Sequence, residues 1–354
     1  MALGKTIALS LAALAACWAG AGESWCEAPE GIPGAVLVSA GASGDVSFEC
    51  LGYADVESKR RMTPDTLFRM ASNTKGIAAA VALSVVAEGR LSLDDPVEKF
   101  FPSWRKLAVT NRPTLRMLLS HTAGLPFFTR APLPAPGMVA LAERAAEAPL
   151  PHAPGTKYVY SNWGIDVAMA MVENATGWPF DVEMRERIFR PLGMTNSTFV
   201  VSDANRGSLA TVYWLSDSVA PQPIDPQRAL AEPYVTYGVH PEAGGGLLST
   251  PRDMARFFRM IAAGGTAPDG TVVIPPALMA EWTRKQTPPD VSERYSFGMN
   301  VDGRGRISHG GSCGTWGEAD TRARRMRLFM VNFNGRSAAY KAFKSDWMKA
   351  TGDL

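Results

Sequence analysis

Residues 76–87, Gly-Ile-Ala-Ala-Ala-Val-Ala-Leu-Ser-Val-Val-Ala, carry no charge. The run is too short to span a bilayer, which takes about 20 apolar residues in a helix. It is apolar all round, and a helix of that kind is buried in a globular core. Everything else in the chain must pack around it. Its approach is Phe68-Arg69-Met70-Ala71-Ser72-Asn73-Thr74-Lys75. Lys75 stands at the mouth of the buried run, where desolvation disfavours its charge. Ser72 stands one turn earlier, and residues i and i+3 of a helix are neighbours roughly 5–6 Å apart at Cβ. The expected arrangement puts the Lys75 amine beside the Ser72 hydroxyl at the positive end of the helix dipole. A neighbouring amine that takes the proton makes such a hydroxyl a nucleophile. The same residues also fit a plain N-cap serine and a solvated lysine, so S-x-x-K acquires meaning only from partners elsewhere.

A chain of 354 residues suits one large domain or two that share a core. With a formal net charge of +2, it calls for no nucleic-acid or polyanion partner. The N-terminus reads as a leader over residues 1–21. Lys5 supplies the positive start and residues 6–16 the apolar stretch. Leu14-Ala15-Ala16-Cys17 resembles a bacterial lipoprotein signal, with cleavage at 16/17 and lipid on Cys17. Ala19-Gly20-Ala21 fits an ordinary cleavage site. The lipoprotein reading is preferred, and either cut makes the protein an exported one, periplasmic or lipid-anchored to a membrane. Export leaves Cys26, Cys50 and Cys313 in an oxidising compartment. Cys26 and Cys50 flank the first hairpin and form the candidate disulfide.

Residues 34–40 and 46–53 read as that hairpin, with a turn cluster between them. Gly89 suits the end of the apolar helix and Pro96 the start of a short one. Short helices are expected over residues 114–120, 138–148, 164–175 and 180–188. Residues 202–234 read as a long loop bordering a cleft. Thr250 and Pro251 open a helix that Gly264-Gly265 stops. A further helix is expected over 276–284. Strands follow over 295–301, 306–309, 316–321 and 326–332, and residues 338–349 close the chain as an amphipathic helix. With strands at both ends and helices between, the simplest α+β packing joins the terminal strands in one antiparallel sheet flanked by helices, with an all-helical region beside it.

Two stretches can complete a site around Ser72 and Lys75. In Tyr158-Val159-Tyr160-Ser161-Asn162, Tyr160 has an asparagine two residues on and its rival Tyr158 does not. A phenol near an ammonium can pass protons, and an amide can hold the lysine or a substrate carbonyl. A half-buried packing tyrosine is the bland reading. In Ser308-His309-Gly310-Gly311-Ser312-Cys313-Gly314, paired glycines let a ligand approach backbone N–H groups that can face an oxyanion. A glycine-rich hairpin without a catalytic role is the bland alternative. Gly310 to Gly314 also matches G-x-S-x-G, but all four histidines precede Ser312, against the order an α/β-hydrolase needs. No metal-ligand spacing occurs.

Together these residues resemble the serine β-lactamase-related family of the class C type, which includes D,D-peptidases, D-aminopeptidases and esterases. Ser72-Asn73-Thr74-Lys75 is similar to the family's S-x-x-K and Tyr160-Ser161-Asn162 to its Y-x-N. His309-Gly310-Gly311 falls where it has K-T-G or H-x-G. The resemblance runs from about residue 34 to 332. It implies a β-lactamase/transpeptidase-like fold, with a sheet domain from residues 30–95 and 290–354, a mostly helical domain from 96–289, and the active site between them. It implies that Ser72 forms an acyl-enzyme, that Lys75 and Tyr160 share the general-base and general-acid work, and that Asn162, His309, Gly310 and Gly311 bind or orient substrate. The oxyanion hole would be the N–H groups of Ser72 and Ser312. No cofactor or metal is implied. The expected partner is a small-molecule or peptide substrate, and the chain is expected to be a monomer. His309 and Gly310 replace a lysine and a threonine that attract a substrate carboxylate, which points to esterase, amidase or peptidase action before efficient β-lactam hydrolysis. The alternative is a slow or non-catalytic binder of penicillin or cell-wall peptides.

Overall fold

The structure, a computed structural model, describes residues 22–127, 137–216, 219–223, 242–333 and 338–352. The leader reading, with Cys17, lies outside them.

The apolar run forms α1 (Thr74–Ala87), entered through a 3-10 turn at Ala71–Asn73. Every residue from Thr74 to Val85 is buried, as an all-apolar helix demands. Gly89, at φ +71°, follows its end.

Twelve short strands are described: β1 (Gly22–Cys26), β2 (Gly34–Ala40), β3 (Val46–Asp55), β4 (Arg60–Arg61), β5 (Phe68–Arg69), β6 (Tyr213–Ser216), β7 (Val219–Pro223), β8 (Leu248–Ser249), β9 (Asn300–Val301), β10 (Arg306–Gly310), β11 (Thr315–Asp320) and β12 (Arg325–Val331). The main sheet runs β1-β3-β2-β12-β11-β10-β9, with β4 on β3. The antiparallel β2–β12 pair joins the two ends of the chain, Ala40 opposite Met326 and Ala35 opposite Val331.

Side chains alternate across a strand, so this register sorts the sheet into two faces. Val36, Val38, Leu328 and Met330 join α1 in the main core. Ala35, Leu37, Phe329 and Val331 face the other way. That second face is covered by α7 (Ala338–Ala350), whose Phe343 and Trp347 meet Phe329 at ring-centroid distances of 5.2 and 5.6 Å. The helices between α1 and α7 in the chain include α2 (Leu115–Leu119), α3 (Met138–Ala145), α4 (Asn162–Thr176), α5 (Pro251–Ala262) and α6 (Pro276–Trp282). α4 packs on α1, while α5 packs on β2, β11 and β12. Thr250 caps α5 by accepting the Asp253 N–H, as its sequence predicts.

Four local expectations change. β1 adds an edge strand parallel to β3, so the sheet is mixed. The strand expected over 295–301 shrinks to β9, because Gly298 turns at φ +64° and gives its N–H to the Leu119 carbonyl. Within residues 202–234, a short helix (Asp203–Arg206) and the β6–β7 hairpin appear; 217–218 and 224–234 lie outside the described residues. Cys26 and Cys50 are not joined by a disulfide. In the β1–β3 register Trp25 faces Cys50 and Cys26 faces Leu51, so the two cysteines point to opposite faces of the sheet.

Candidate active site

The 3-10 turn before α1 carries Ser72 on strained backbone. Ala71 sits at φ +46°, a conformation that costs a non-glycine residue about 1 kcal/mol or more. The turn is tied down from three sides. Met70 N–H donates to the Leu247 carbonyl, Thr74 Oγ1 donates to the Ala71 carbonyl, and Leu247 N–H donates back to Thr74 Oγ1. From the sheet, Thr315 Oγ1 donates to the Met70 carbonyl and accepts from Asn73 Nδ2 at 2.9 Å.

Lys75 is completely buried, with Nζ 3.2 Å from Ser72 Oγ. Nζ also donates to the Gly244 carbonyl. Burial pulls its pKa from 10.5 down to about 7, against the opposing charges of Asp166 and Glu242. At pH 7 an ordinary lysine is neutral in roughly one molecule in a few thousand. This one is neutral in about half, which is what a general base needs. A neutral amine can give one N–H to Gly244 and accept the Ser72 proton on its lone pair.

Tyr160 and Asn162 arrive through the N-terminus of α4. Ser161 caps that helix, accepting the Gly164 N–H and donating to the Pro126 carbonyl. Lys75 Nζ lies 4.7 Å from the centre of the Tyr160 ring. Tyr158 packs instead on His121 and Tyr295. Asn162 is buried against Gly244, where an added Cβ would come within 2.9 Å of the Asn162 Cβ.

β10 and β11 bring the third stretch. A Cβ on Gly311 would lie 2.4 Å from the Met70 carbonyl oxygen, so only glycine lets this strand end reach the Ser72 turn. Gly310 is open by comparison, its nearest neighbour 3.5 Å away. Ser312 follows at the exposed tip.

His309 is buried, not aimed at solvent. Nδ1 meets the Gly310 carbonyl at 2.8 Å and Nε2 meets the Tyr295 hydroxyl at 3.0 Å. A carbonyl only accepts, so Nδ1 carries the proton and the tyrosine donates to Nε2. Burial, then the charge of Lys75, lowers its pKa to about 3. His121 is also held neutral, well below the usual range, by burial and by Lys75. Its Nδ1 accepts the Ser161 N–H, and its ring lies 4.4 Å from that of Tyr160.

The structure thus brings Ser72, Lys75, Tyr160, Asn162, His309, Gly310, Gly311 and Ser312 to one place. Sequence reasoning missed Gly244 as the lysine's acceptor, Tyr295 as the histidine's donor, and Asp166 and Glu242 as the lysine's acidic neighbours. Asp166 had one readable signal, an acid inside the apolar stretch of its helix. The others are set by pairings that no local pattern records.

The chain matches the Beta-lactamase family model over residues 24–345 and belongs to that family. It is 32% identical over 334 residues to an uncharacterised protein of Mycobacterium tuberculosis, spanning 79% of this chain and 81% of that one. It is 34% identical over 248 residues to the esterase EstB of Burkholderia gladioli, spanning 60% of this chain and 61% of that protein. Among solved structures it is similar to EstCE1, described as a hydrolase with promiscuous acyltransferase activity. That likeness has a TM-score of 0.70 at 25% identity over 86% of this chain and 89% of the other.

Proposed function

We propose that this protein is a serine hydrolase that forms an acyl-enzyme on Ser72, with uncharged carboxylic esters as its first substrate class. The observation that carries the reading is the fully buried Lys75 amine 3.2 Å from the Ser72 hydroxyl, where burial lowers its pKa. Ser72 Oγ attacks the ester carbonyl as its proton passes to Lys75. The oxyanion is held by the N–H groups of Ser72 and Ser312. Collapse expels the alkoxide, which takes a proton through Lys75 and Tyr160. Water then attacks the acyl-enzyme by the same route and frees the acid.

The preference for uncharged esters rests on the third strand. His309 is neutral and its Nε2 is taken by Tyr295, so the third motif supplies no cation at the place where a substrate carboxylate would be read. The leader reading of residues 1–21 adds the proposal that the hydrolase is exported.

The test is p-nitrophenyl butyrate turnover and intact-mass analysis of the purified protein, with a penicillin in parallel and Ser72→Ala as control. Ester turnover that the substitution abolishes is the expected result. A long-lived penicilloyl adduct without ester turnover would move the function to a penicillin-binding protein.

A further inference from the structure

The buried acid on α4 has no part in the reaction as written above, and its surroundings give it one. Asp166 lies one turn beyond Asn162 and is 5% exposed. Its Oδ1 accepts the Gly244 N–H at 3.1 Å. The carbonyl of the same Gly244 accepts from Lys75 Nζ, and Lys75 reaches Ser72. Gly244 is in turn wedged on Asn162, with no space for a side chain.

We infer that Asp166 is a positioning residue for the proposed acyl transfer: its carboxylate pegs the Gly244 backbone that holds Lys75, and it is the counterion of Lys75 whenever that amine carries the proton. The inference rests on the acyl-enzyme reading.

A purely structural peg would need only a hydrogen-bond acceptor. The charges around Lys75 say more. On its own turn it faces Ser72, from the segment before α4 Tyr160, from α4 itself Asp166, and from the loop before β8 Glu242. His121 and His309 are kept neutral by burial and by its charge. Burial raises the carboxyl of Glu242 to about 8, so that group holds its proton more tightly than Asp166 does. Burial raises Asp166 only to about 6, because the Gly244 N–H and Lys75 oppose it. Asp166 is therefore the anion that the protonated lysine meets. Removing its charge makes Lys75 release its proton more easily.

The experiment follows the rate of Ser72 labelling by a fluorophosphonate against pH, read by intact mass, alongside ester kcat/KM. The proteins are wild type, Asp166→Asn and Asp166→Ser. Asparagine keeps an acceptor for the Gly244 N–H without the charge. Its acid limb is expected about one pH unit lower, with the plateau rate within about fivefold of wild type. Serine removes charge and reach together and is expected to show the same shift with a plateau at least tenfold lower. Being smaller than aspartate, it gives the readout if the asparagine protein does not fold. Ser72 labelling with the limb unmoved in the variants would overturn this inference alone. A wild-type Ser72 that takes no label would overturn the acyl-enzyme reading and this inference with it.

Discussion

The Tyr295 hydroxyl donates a 3.0 Å hydrogen bond to Nε2 of His309. Both side chains are buried, and the histidine's other nitrogen is spent on the Gly310 carbonyl. The imidazole is thus locked as a neutral, satisfied group beside the candidate nucleophile. A substrate that brings a carboxylate there meets a neutral imidazole and must lose part of its hydration. The expected outcome is a kcat/KM about tenfold or more lower for a succinate half-ester than for a neutral butyrate ester of the same alcohol. Tenfold corresponds to about 1.4 kcal/mol, a modest demand for one missing charge contact. His309→Lys should narrow the gap, and more so at low salt. Equal rates for the two wild-type substrates would show that another cation reads the carboxylate.

The buried lysine fixes the sign of the pH dependence. As the proposed base, Lys75 must be neutral, and burial brings its pKa down to about 7. Ester kcat/KM should therefore fall below about pH 7 with the slope of one proton and flatten above it. Lys75→Arg cannot shed its charge and should lose at least a thousandfold in kcat while remaining folded enough to melt cooperatively. An acid limb near pH 4 to 5 would instead mark a carboxylate as the base.

Two adjacent glycines should respond differently to the same methyl group. At Gly311 an added Cβ meets the Met70 carbonyl oxygen at 2.4 Å and Thr315 Oγ1 at 2.5 Å. Relief requires the strand end to move away from the Ser72 turn, so Gly311→Ala should cost about a hundredfold or more in kcat and lower Tm. At Gly310 the nearest atom is an ordinary 3.5 Å contact with the Trp316 ring. Gly310→Ala should melt within about 2 °C of wild type and keep kcat within about threefold. Parallel melting curves and ester kinetics decide it; a Gly311→Ala protein with normal kcat would mean that the strand end does not hold the turn.

What local sequence conveyed is what local physics controls. The apolar run around Ile77 and Val81 could only be a buried helix, and Thr250-Pro251 marked a helix start because capping chemistry acts within one turn. Ser72 and Lys75 were legible for the same reason, being one turn apart. Tyr160, Asn162 and the glycines after His309 were readable as candidates from their chemistry, and their resemblance to a family pattern gave them roles. Tyr295, Gly244 and Asp166 act through partners far away in the chain, and their roles exist only once the sheet and α4 have met. β1 was invisible for a related reason. A five-residue edge strand, half exposed, has little periodicity of its own and is defined by pairing with β3.

The cysteines show what one residue of register can do. Cys26 and Cys50 sit on neighbouring strands, close enough in the sheet for sequence order to suggest a bond. In the parallel pairing Cys50 is opposite Trp25, and its side chain enters the main core under the helices. Cys26 is opposite Leu51 and packs on the other face, in the layer that α7 covers. A disulfide would require one strand to turn over, exchanging the faces of its apolar side chains. Burial, with the nearby Glu23 charge adding to it, also pushes the Cys50 thiol up to about 12, so it is a poor source of thiolate. Alkylation without reductant should therefore modify Cys26, Cys50 and Cys313 once the protein is denatured. In the native protein Cys50 should be protected, while the half-exposed Cys26 and Cys313 react. Cys50→Ala should keep the fold at a cost of about 1–2 kcal/mol, the price of a small cavity rather than of a lost cross-link. A non-reducing peptide map that joins Cys26 to Cys50 would overturn the β1–β3 register.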